Sequence, residues 1–299
     1  MHHQVETTVR PQGEERCPSV SVVLVTYNRA DVLGDTLTAL LRQTLSDFEL
    51  LVCDDASTDS TERVVRAYAS MDSRIRYLKT PVNLGMPANL NRGISAARGE
   101  YIANLHDGDL YSPVLLEKWK GVLDQHPTAG FVFNSYEHIG PRGYVQQLPY
   151  ATGVIPGHEL LERYFFSHPR FSSPVWGTAM VRRSVFEQLG SLDSKFKFIA
   201  DVDMWMRIAE QYDVGYVDEI LIRLPSKRLL PTHVVHRWFR DLQTLSVMFW
   251  RARFRHYRNR PNRLAMEIAR HGCYVVLSFL SFAALAVMRP IYLWFVVRK

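Results

Sequence analysis

The chain has 299 residues, of which 47% are hydrophobic and 22% are charged, and its formal net charge is +6. This is the composition of a globular protein with a sizeable core, and the length permits one large domain with an appendage or two modest domains. The three cysteines, Cys17, Cys53 and Cys273, lie far apart and exclude a disulfide framework or a cysteine-based metal site.

The N-terminal stretch, residues 1–17, is polar and contains no apolar run. It does not have the pattern of a secretory signal, and we predict a flexible tail there. The rest of the chain is predicted to divide into a globular domain over residues 18–230 and a basic, aromatic helical region over residues 231–299.

Short apolar runs alternate with helical patterns in the first half of the chain. The run at 20–26 is rich in valine, which is typical of a strand buried on both faces, whereas residues 31–44 carry apolar side chains at helical spacing. Further strands are predicted at 48–53, 74–78, 100–105 and 129–136, and further helices from 58, over 87–97 and from 113. Repeated strand–helix–strand units indicate an α/β fold, with a mainly parallel central sheet flanked by helices.

The pattern is less regular after residue 140. Residues 140–157 are predicted as a hairpin or loop, 171–181 contain another apolar strand, and 200–211 form another helix.

Polar side chains follow three of the predicted strands at the points where the strands end. They form the clusters Thr26-Tyr27-Asn28, Asp54-Asp55 and Asp107-Gly108-Asp109. In open α/β sheets, ligands bind beyond the carboxyl ends of the strands, so these clusters predict a site at one edge of the sheet.

The chemistry of this edge excludes two common classes of nucleotide-binding protein. The sequence contains neither a G-x-G-x-x-G motif after the first strand nor a P-loop motif. Carboxylates line the edge instead, and carboxylates repel phosphates unless a cation stands between them. Mg²⁺ or Mn²⁺ is therefore the expected cofactor, because each can be held by one or two carboxylates together with phosphate oxygens.

Each acidic cluster also has a purely structural interpretation. Asp107-Gly108-Asp109 can be an ordinary turn, and Asp54-Asp55 can cap the helix that follows. Asp59 is better placed for capping that helix, which would leave Asp55 for a ligand.

Several segments together resemble a family 2 glycosyltransferase of the GT-A fold, which is a Rossmann-like architecture. The resemblance spans residues 19–220, and its motifs occur in the order of the family. The matching segments are 19–29, 54–59, Asn83-Leu84-Gly85, 99–102, Asp107-Gly108-Asp109, 182–193 and 200–207.

The resemblance implies a role for each matching residue. Asp107 would face the ribose of a nucleotide-sugar donor, and Asp109, with Asp107, would hold the metal. Tyr27 and Asn28 can also be ordinary loop residues. The full predicted set of donor-nucleotide contacts is Val25, Tyr27, Asn28, Asp55, Asn83, Gly85 and Asp107.

Asp201 would be the catalytic base in this resemblance, and the acceptor side would involve Trp176, Gly177 and Asp203. The family often has a glutamate directly before this aspartate, whereas here the preceding residue is Ala200. Acids in the first turn of a helix also suit the helix dipole, so Asp201 and Asp203 have a structural alternative. Arg207 is expected to brace the helix through an ion pair.

The C-terminal region is expected to contact a membrane. Seven arginines and one acid occur between residues 251 and 270, and the apolar segment 272–297 follows directly. Binding to nucleic acid, an acidic protein partner, a solvated face and a buried helical core are the alternatives, and no nucleic-acid-binding motif is present. Arginines and tryptophans suit an anionic membrane surface, with the enzyme domain on the cytoplasmic face.

The functional prediction is an inverting glycosyltransferase that uses a UDP-sugar and a divalent metal. Its acceptor would be a glycan or a lipid-linked hydroxyl. A non-catalytic sugar-nucleotide- or carbohydrate-binding module and a sugar nucleotidyltransferase are the alternatives.

Overall fold

The computed structural model describes residues 17–140, 143–148, 151, 153–166, 173–175, 177–225, 248–249, 251–258 and 265. Within them the chain forms the strands β1 (Val20–Thr26), β2 (Phe48–Asp54), β3 (Ile75–Lys79), β4 (Tyr101–His106), β5 (Leu110–Tyr111), β6 (Ala129–Ile139), β7 (Tyr144–Gln146), β8 (Gly153–Ile155), β9 (Ala179–Arg182) and β10 (Asp213–Pro225). The α-helices are α1 (Ala30–Leu41), α2 (Thr61–Ala69), α3 (Met86–Ala96), α4 (Leu115–Gln125), α5 (Gly157–Leu160), α6 (Arg183–Leu189) and α7 (Ala200–Ala209). A π-helical turn, Leu161–Phe165, follows α5, and a 3₁₀ helix, Ser194–Ile199, precedes α7.

The first four predicted strands and the helices between them are confirmed, with shifts of a few residues at their ends. β1 is buried along its whole length, as its valine-rich sequence predicts for a strand covered on both faces. α1 ends at Leu41, three residues before its predicted end. The side chain of the next buried polar residue, Gln43, donates a hydrogen bond to the carbonyl of Ser112.

The strands form one sheet in the order β3-β2-β1-β4-β9-β6-β10-β5, with β7 beside β6 and β8 beside β10. The sheet is mixed rather than mainly parallel. β1 to β4, β6 and β10 share one direction, but β9 lies antiparallel between β4 and β6. β5, β7 and β8 are also antiparallel to their neighbours. The strand predicted within 171–181 is β9, and the hairpin region 140–157 supplies β7 and β8.

Two layers of helices cover the sheet and bury a core on each face. Val22 and Leu24 of β1 pack in the core with α1, α2 and α4, whereas Val23 and Val25 pack in the core with α3 and α7. Successive side chains of a strand point to opposite faces, so a single valine-rich strand contributes to both cores.

The strand order reverses beside β1, and this reversal positions the site. From β1 the chain goes to β2 and β3 on one side, and then returns to β4 on the other side. In open α/β sheets, the ligand crevice lies beyond the carboxyl ends of the strands at such a reversal of strand order.

Residues 251–257 are helical and pack against this domain, although the sequence places them in a separate region. Phe249 and Ala252 are buried in the same core as α7. Part of the basic stretch is also engaged inside the molecule. Arg253 is buried and donates to the carbonyl of Phe166, and Nε of Arg255 lies 2.9 Å from a carboxylate oxygen of Glu210. These two arginines are therefore not directed at an external anion.

Within the described residues, every helix is too short or too polar to cross a membrane. The apolar segment 272–297 and most of the region 231–299 lie outside the described residues, as does the N-terminal stretch before Cys17.

Candidate active site

A cleft of about 600 Å³ lies at the carboxyl ends of β1, β2 and β4. It occupies the point where the strand order reverses, as the strand-end clusters predict. The cleft is lined by Val25, Thr26, Tyr27, Arg29, Asp55, Asn83, Gly85, Met86, Asn89, His106 and Asp107. Six of the seven predicted donor-nucleotide residues belong to this lining, and Asn28 lies directly beside it.

Asp55 holds the loop that forms one wall of the cleft. Its buried carboxylate accepts hydrogen bonds from the backbone N–H groups of Leu84, at 2.7 Å, and Gly85, at 2.9 Å. Asp59, as expected, accepts a hydrogen bond from the N–H of Thr61, the first residue of α2. Asp55 therefore does not cap α2. Both carboxylate oxygens of Asp55 already accept hydrogen bonds from residues 84–85, so only their remaining lone pairs can bind a ligand.

The loop after β1 presents Tyr27 at the rim of the cleft, where the residue is 47% exposed. Asn28 has a positive φ of 52°, a conformation that asparagine tolerates better than most residues. Its Oδ1 accepts the N–H of Thr58 at 2.8 Å, and its own N–H donates to Ser57 Oγ at 2.8 Å. Asn28 thus joins the loops after β1 and β2, and its side chain supports the cleft rather than lining it.

The wall opposite β1 is the start of α3. Gly85 has a φ of +85°, which suits glycine, and it directly precedes the helix. Asn83 Oδ1 accepts the Gly85 N–H at 3.2 Å, so Asn83 shapes this turn. Asn89 in the first turns of α3 donates from Nδ2 to the carbonyl of Cys53 at 2.7 Å and ties the helix to β2.

The two acids of the segment after β4 occupy different environments. Asp107 lines the cleft, and its Oδ1 lies 3.3 Å from Nε of Arg29. Asp109 is 2% exposed, does not belong to the lining, and has Oδ2 3.8 Å from Nδ1 of His106. That Asp109 is a metal ligand stays a prediction. The turn at Gly108, where φ is +79°, carries Asp109 below the cleft surface and leaves Asp107 facing it.

The cleft fits a metal that binds together with a diphosphate. Within the described residues, no three histidine, cysteine, aspartate or glutamate side chains converge as a set of metal ligands. Mg²⁺ and Mn²⁺ at phosphate sites commonly use one or two carboxylates, with phosphate and water oxygens as the other ligands. The carboxylate of Asp107 is a hard oxygen ligand of this kind.

Asp201 lies in the first turn of α7 and has the environment of a general base. Its Oδ1 is buried and has no hydrogen-bond partner in the described structure. Burial raises the pKa of Asp201 from 3.8 to about 6, although backbone hydrogen bonds partly oppose the shift. A carboxylate with a raised pKa is a stronger proton acceptor than an ordinary aspartate.

Asp203, which is predicted on the acceptor side, forms an ion pair that braces the helix. Its Oδ2 accepts a hydrogen bond from Nε of Arg207 at 2.8 Å, which confirms the expected ion pair of Arg207. The same guanidinium donates to the carbonyls of Leu189 and Ser191, each at 2.8 Å. Arg207 therefore fastens α7 to the loop after α6, and Asp203 is its counter-ion.

Gly177 brings the donor side and Asp201 together. A Cβ atom at this position would lie 2.5 Å from Cε1 of His106 and 3.0 Å from Oδ2 of Asp201. Only a residue without a side chain allows these two groups to approach one another from opposite sides. Trp176, the other acceptor-side residue predicted here, lies outside the described residues.

Sequence reasoning did not assign Arg29 to the cleft and treated His106 as a neighbour packed near it, whereas both residues line it. Each directly adjoins a motif, Arg29 following Tyr27-Asn28 and His106 preceding Asp107. Position next to a strand-end cluster is the signal that could have identified them.

The chain matches known proteins over most of this domain. The family model described as "Glycosyl transferase family 2" matches residues 21–190. EpsE of Bacillus subtilis (strain 168), which is named as a glycosyltransferase, is 32% identical over 206 residues, covering 67% of this chain and 69% of EpsE.

Two solved structures show a similar fold. TarS of S. aureus, residues 1–349 in complex with UDP, superimposes with a TM-score of 0.66 at 17% identity and covers 85% of this chain and 71% of that chain. The mannosyltransferase PcManGT of Pyrobaculum calidifontis, in complex with GDP-Man and Mn²⁺, has a TM-score of 0.57 at 20% identity. That match covers 94% of this chain and 84% of PcManGT.

Proposed function

The chain belongs to glycosyl transferase family 2 and is a glycosyltransferase, and from this premise we propose that it moves a sugar from a UDP-sugar to an acceptor hydroxyl with inversion. One observation carries the proposal. The carboxylate of Asp201 lies beside the cleft that holds Asp107, because Gly177 contacts both Asp201 and His106 of the cleft lining. A donor and an acceptor hydroxyl can therefore meet between them.

The cleft supplies the donor side of the reaction. Tyr27 offers an exposed aromatic ring at the rim for a nucleobase, and Asp55 keeps the opposite loop in place. TarS was solved with UDP and PcManGT with GDP-Man, so relatives in fold accept nucleotides with either base. We favour uracil for this chain because the family resemblance, in which Asp55 would bind the base, implies it.

Asp201 is proposed as the general base. The acceptor oxygen would form a bond to the anomeric carbon while the bond from that carbon to the diphosphate oxygen breaks. The hydroxyl proton would pass to Asp201, and the electron pair of the breaking bond would leave with the nucleoside diphosphate. Attack from the face opposite the leaving group would invert the anomeric centre, and the family resemblance supports inversion.

Asp107 would hold a bound Mn²⁺ or Mg²⁺, which supplies positive charge to the departing diphosphate. Asp109 is the second carboxylate that we propose for the metal, and its Oδ2 lies 3.8 Å from Nδ1 of His106.

The acceptor is proposed to be a glycan or a lipid-linked hydroxyl, reached while the enzyme rests on the cytoplasmic face of an anionic membrane. The uncharged run within residues 272–297 supports membrane contact, and so do those of the arginines after residue 250 that the catalytic domain does not engage. Because residues 251–257 pack against the catalytic domain, a truncated chain that tests membrane binding should retain them. A 1–258 chain keeps Phe249 and Ala252 in the core. It should lose binding to anionic lipid vesicles that the full chain retains, and equal binding would refute the membrane proposal.

The donor proposal is tested by calorimetric binding and by donor hydrolysis across UDP- and GDP-sugars, each with Mn²⁺ and with EDTA. We expect the tightest binding with a UDP-sugar and Mn²⁺, and slow release of UDP without an acceptor. Asp201→Asn is the matched variant, since it should bind the donor normally while transfer stops. Failure of the wild type to bind any nucleotide sugar would overturn the proposed donor class.

A further inference from the structure

The donor cleft is lined by two carboxylates, and Arg29 supplies a positive charge there. A donor diphosphate is an anion, and the described cleft lining contains the carboxylates of Asp55 and Asp107. The N–H groups of Leu84 and Gly85 already compensate Asp55. Among the described residues that line the cleft, Arg29 is the one lysine or arginine.

The guanidinium of Arg29 lies beside Asp107, but Asp107 does not satisfy all of its hydrogen-bond donors. Nε lies 3.3 Å from Oδ1 of Asp107, yet this buried nitrogen has no hydrogen-bond partner. The side chain remains 33% exposed, so it contacts both the acid and the open cleft. A buried donor without a partner is costly, and an incoming oxygen anion would supply one.

Hydrogen bonds hold the backbone of Arg29 in place. Its carbonyl accepts the N–H groups of Val32 and Leu33 at the start of α1, and its own N–H donates to Thr61 Oγ1 at 3.2 Å. The next residue, Ala30, donates its N–H to Oδ2 of Asp59 at 3.1 Å. These bonds connect the first turn of α1 to the start of α2 and the loop before it. The backbone that carries the guanidinium is therefore held firmly.

Gly108 leaves the space that the guanidinium occupies. A Cβ at Gly108 would lie 2.8 Å from an Nη atom of Arg29. The guanidinium therefore lies directly over the turn between Asp107 and Asp109. This is the part of the cleft wall from which the segment after β4 would approach the phosphates of a donor.

We propose that Arg29 binds the donor diphosphate, exchanging part of its ion pair with Asp107 for phosphate oxygens when the donor enters. The planar guanidinium presents several N–H donors that match phosphate oxygens in pairs. The exchange also releases Asp107 towards a metal ion, so Arg29 and the metal would neutralise the diphosphate from two sides. This inference rests on the proposed nucleotide-sugar function.

The test compares ligands that differ only in the diphosphate. Calorimetric titrations use UDP against uridine, and GDP against guanosine, for the wild type and for Arg29→Gln, each in EDTA and in Mn²⁺. We expect Arg29→Gln to weaken binding of the diphosphate by roughly tenfold to a hundredfold, the scale of one hydrogen bond between charged groups, while the nucleoside binds as before. Arg29→Lys should lie between the two, because lysine keeps the charge but not the planar fork.

Arg63→Gln is the matched control, since it removes the same charge from an exposed position on α2. Unchanged diphosphate affinity in Arg29→Gln would overturn the inference and leave the proposed function intact. Equal losses for nucleoside and diphosphate would also overturn it, because they would show a general effect on the cleft. A wild type that binds no nucleotide would instead refute the proposed donor class, and this inference with it.

Discussion

Replacing Asp201 with asparagine should make the protein more stable while stopping transfer. The substitution keeps the shape of the side chain and removes its charge. In the native structure Oδ1 is buried without a hydrogen-bond partner, and burial raises the pKa of the carboxyl group from 3.8 to about 6. The ionised form required of a base is therefore held in a place that disfavours charge.

The size of the effect follows from the difference between the two pKa values. A shift of about two units corresponds to about 3 kcal/mol between the protonation states, at ~1.4 kcal/mol for each unit. This is an upper limit, because Asp201 as a residue is only partly buried. The folded state prefers the protonated acid, so the stability associated with this group is fully present below the unfolded pKa of 3.8 and is lost as the pH rises through about 6.

Urea unfolding of both proteins at about pH 8 and about pH 4 measures this effect. Asp201→Asn should exceed the wild type in free energy of unfolding at the higher pH, and the difference should shrink at the lower pH. In parallel, kcat/KM of the wild type should increase as the pH rises through about 6, and the variant should lose about 10²- to 10⁴-fold in transfer.

Two results would refute this reasoning. Normal transfer by Asp201→Asn would remove Asp201 as the base. A variant less stable than the wild type at the higher pH would show that the carboxylate is stabilised in the fold, which contradicts the assigned cause of its raised pKa. Arg207→Gln provides a contrast on the same helix, because it breaks the ion pair that braces α7 and should lower stability at both pH values.

Three further predictions concern the donor cleft and its junction with the acceptor side. Gly177→Ala should lower kcat more than it lowers donor affinity, because the new Cβ would lie 3.0 Å from Oδ2 of Asp201 as well as 2.5 Å from Cε1 of His106. Steady-state kinetics and donor titration measure the two effects, and an unchanged kcat would contradict the prediction. Asp55→Asn should weaken donor binding and lower the free energy of unfolding by about 1 to 3 kcal/mol, because one side of an amide is a donor and cannot accept the N–H of Leu84 or Gly85. Calorimetry measures the donor affinity and urea unfolding measures the stability. The absence of both effects would contradict the prediction. EDTA should weaken UDP binding to the wild type but change it little in Asp107→Asn, and an equal effect of EDTA on both proteins would exclude Asp107 as the metal ligand.

Local sequence patterns were sufficient for the first half of the fold. The strands at 20–26 and 48–54 and the helices after them carry apolar residues at spacings that only one secondary structure can bury. The second half offers fewer such patterns, although the helix predicted at 200–211 is present as α7. β10 contains acids at Asp218 and Glu219 and has breaks in register around Ile220, and no strand was predicted there. β9 has only four residues, too few to show an alternation.

The site was predictable to the level of its location and many of its residues. Polar clusters at three strand ends placed the cleft correctly, because parallel strands bring their carboxyl ends to one edge whatever the details of packing. Which acid of a cluster faces the cleft was not predictable. Asp107 and Asp109 lie in one short segment, and only the folded structure shows that Asp107 lines the cleft whereas Asp109 is buried outside its lining.

The sequence by itself thus determined the family, the α/β architecture of residues 20–106 and the edge of the sheet where the donor cleft lies. Each of these depends on residues close together in the chain. Tertiary structure decided the antiparallel place of β9, the approach of His106 to Asp201 across Gly177, the ion pair of Arg29 with Asp107 and the docking of residues 251–257. These features join residues tens of positions apart, and their geometry depends on the packing of the whole domain, which no local pattern encodes.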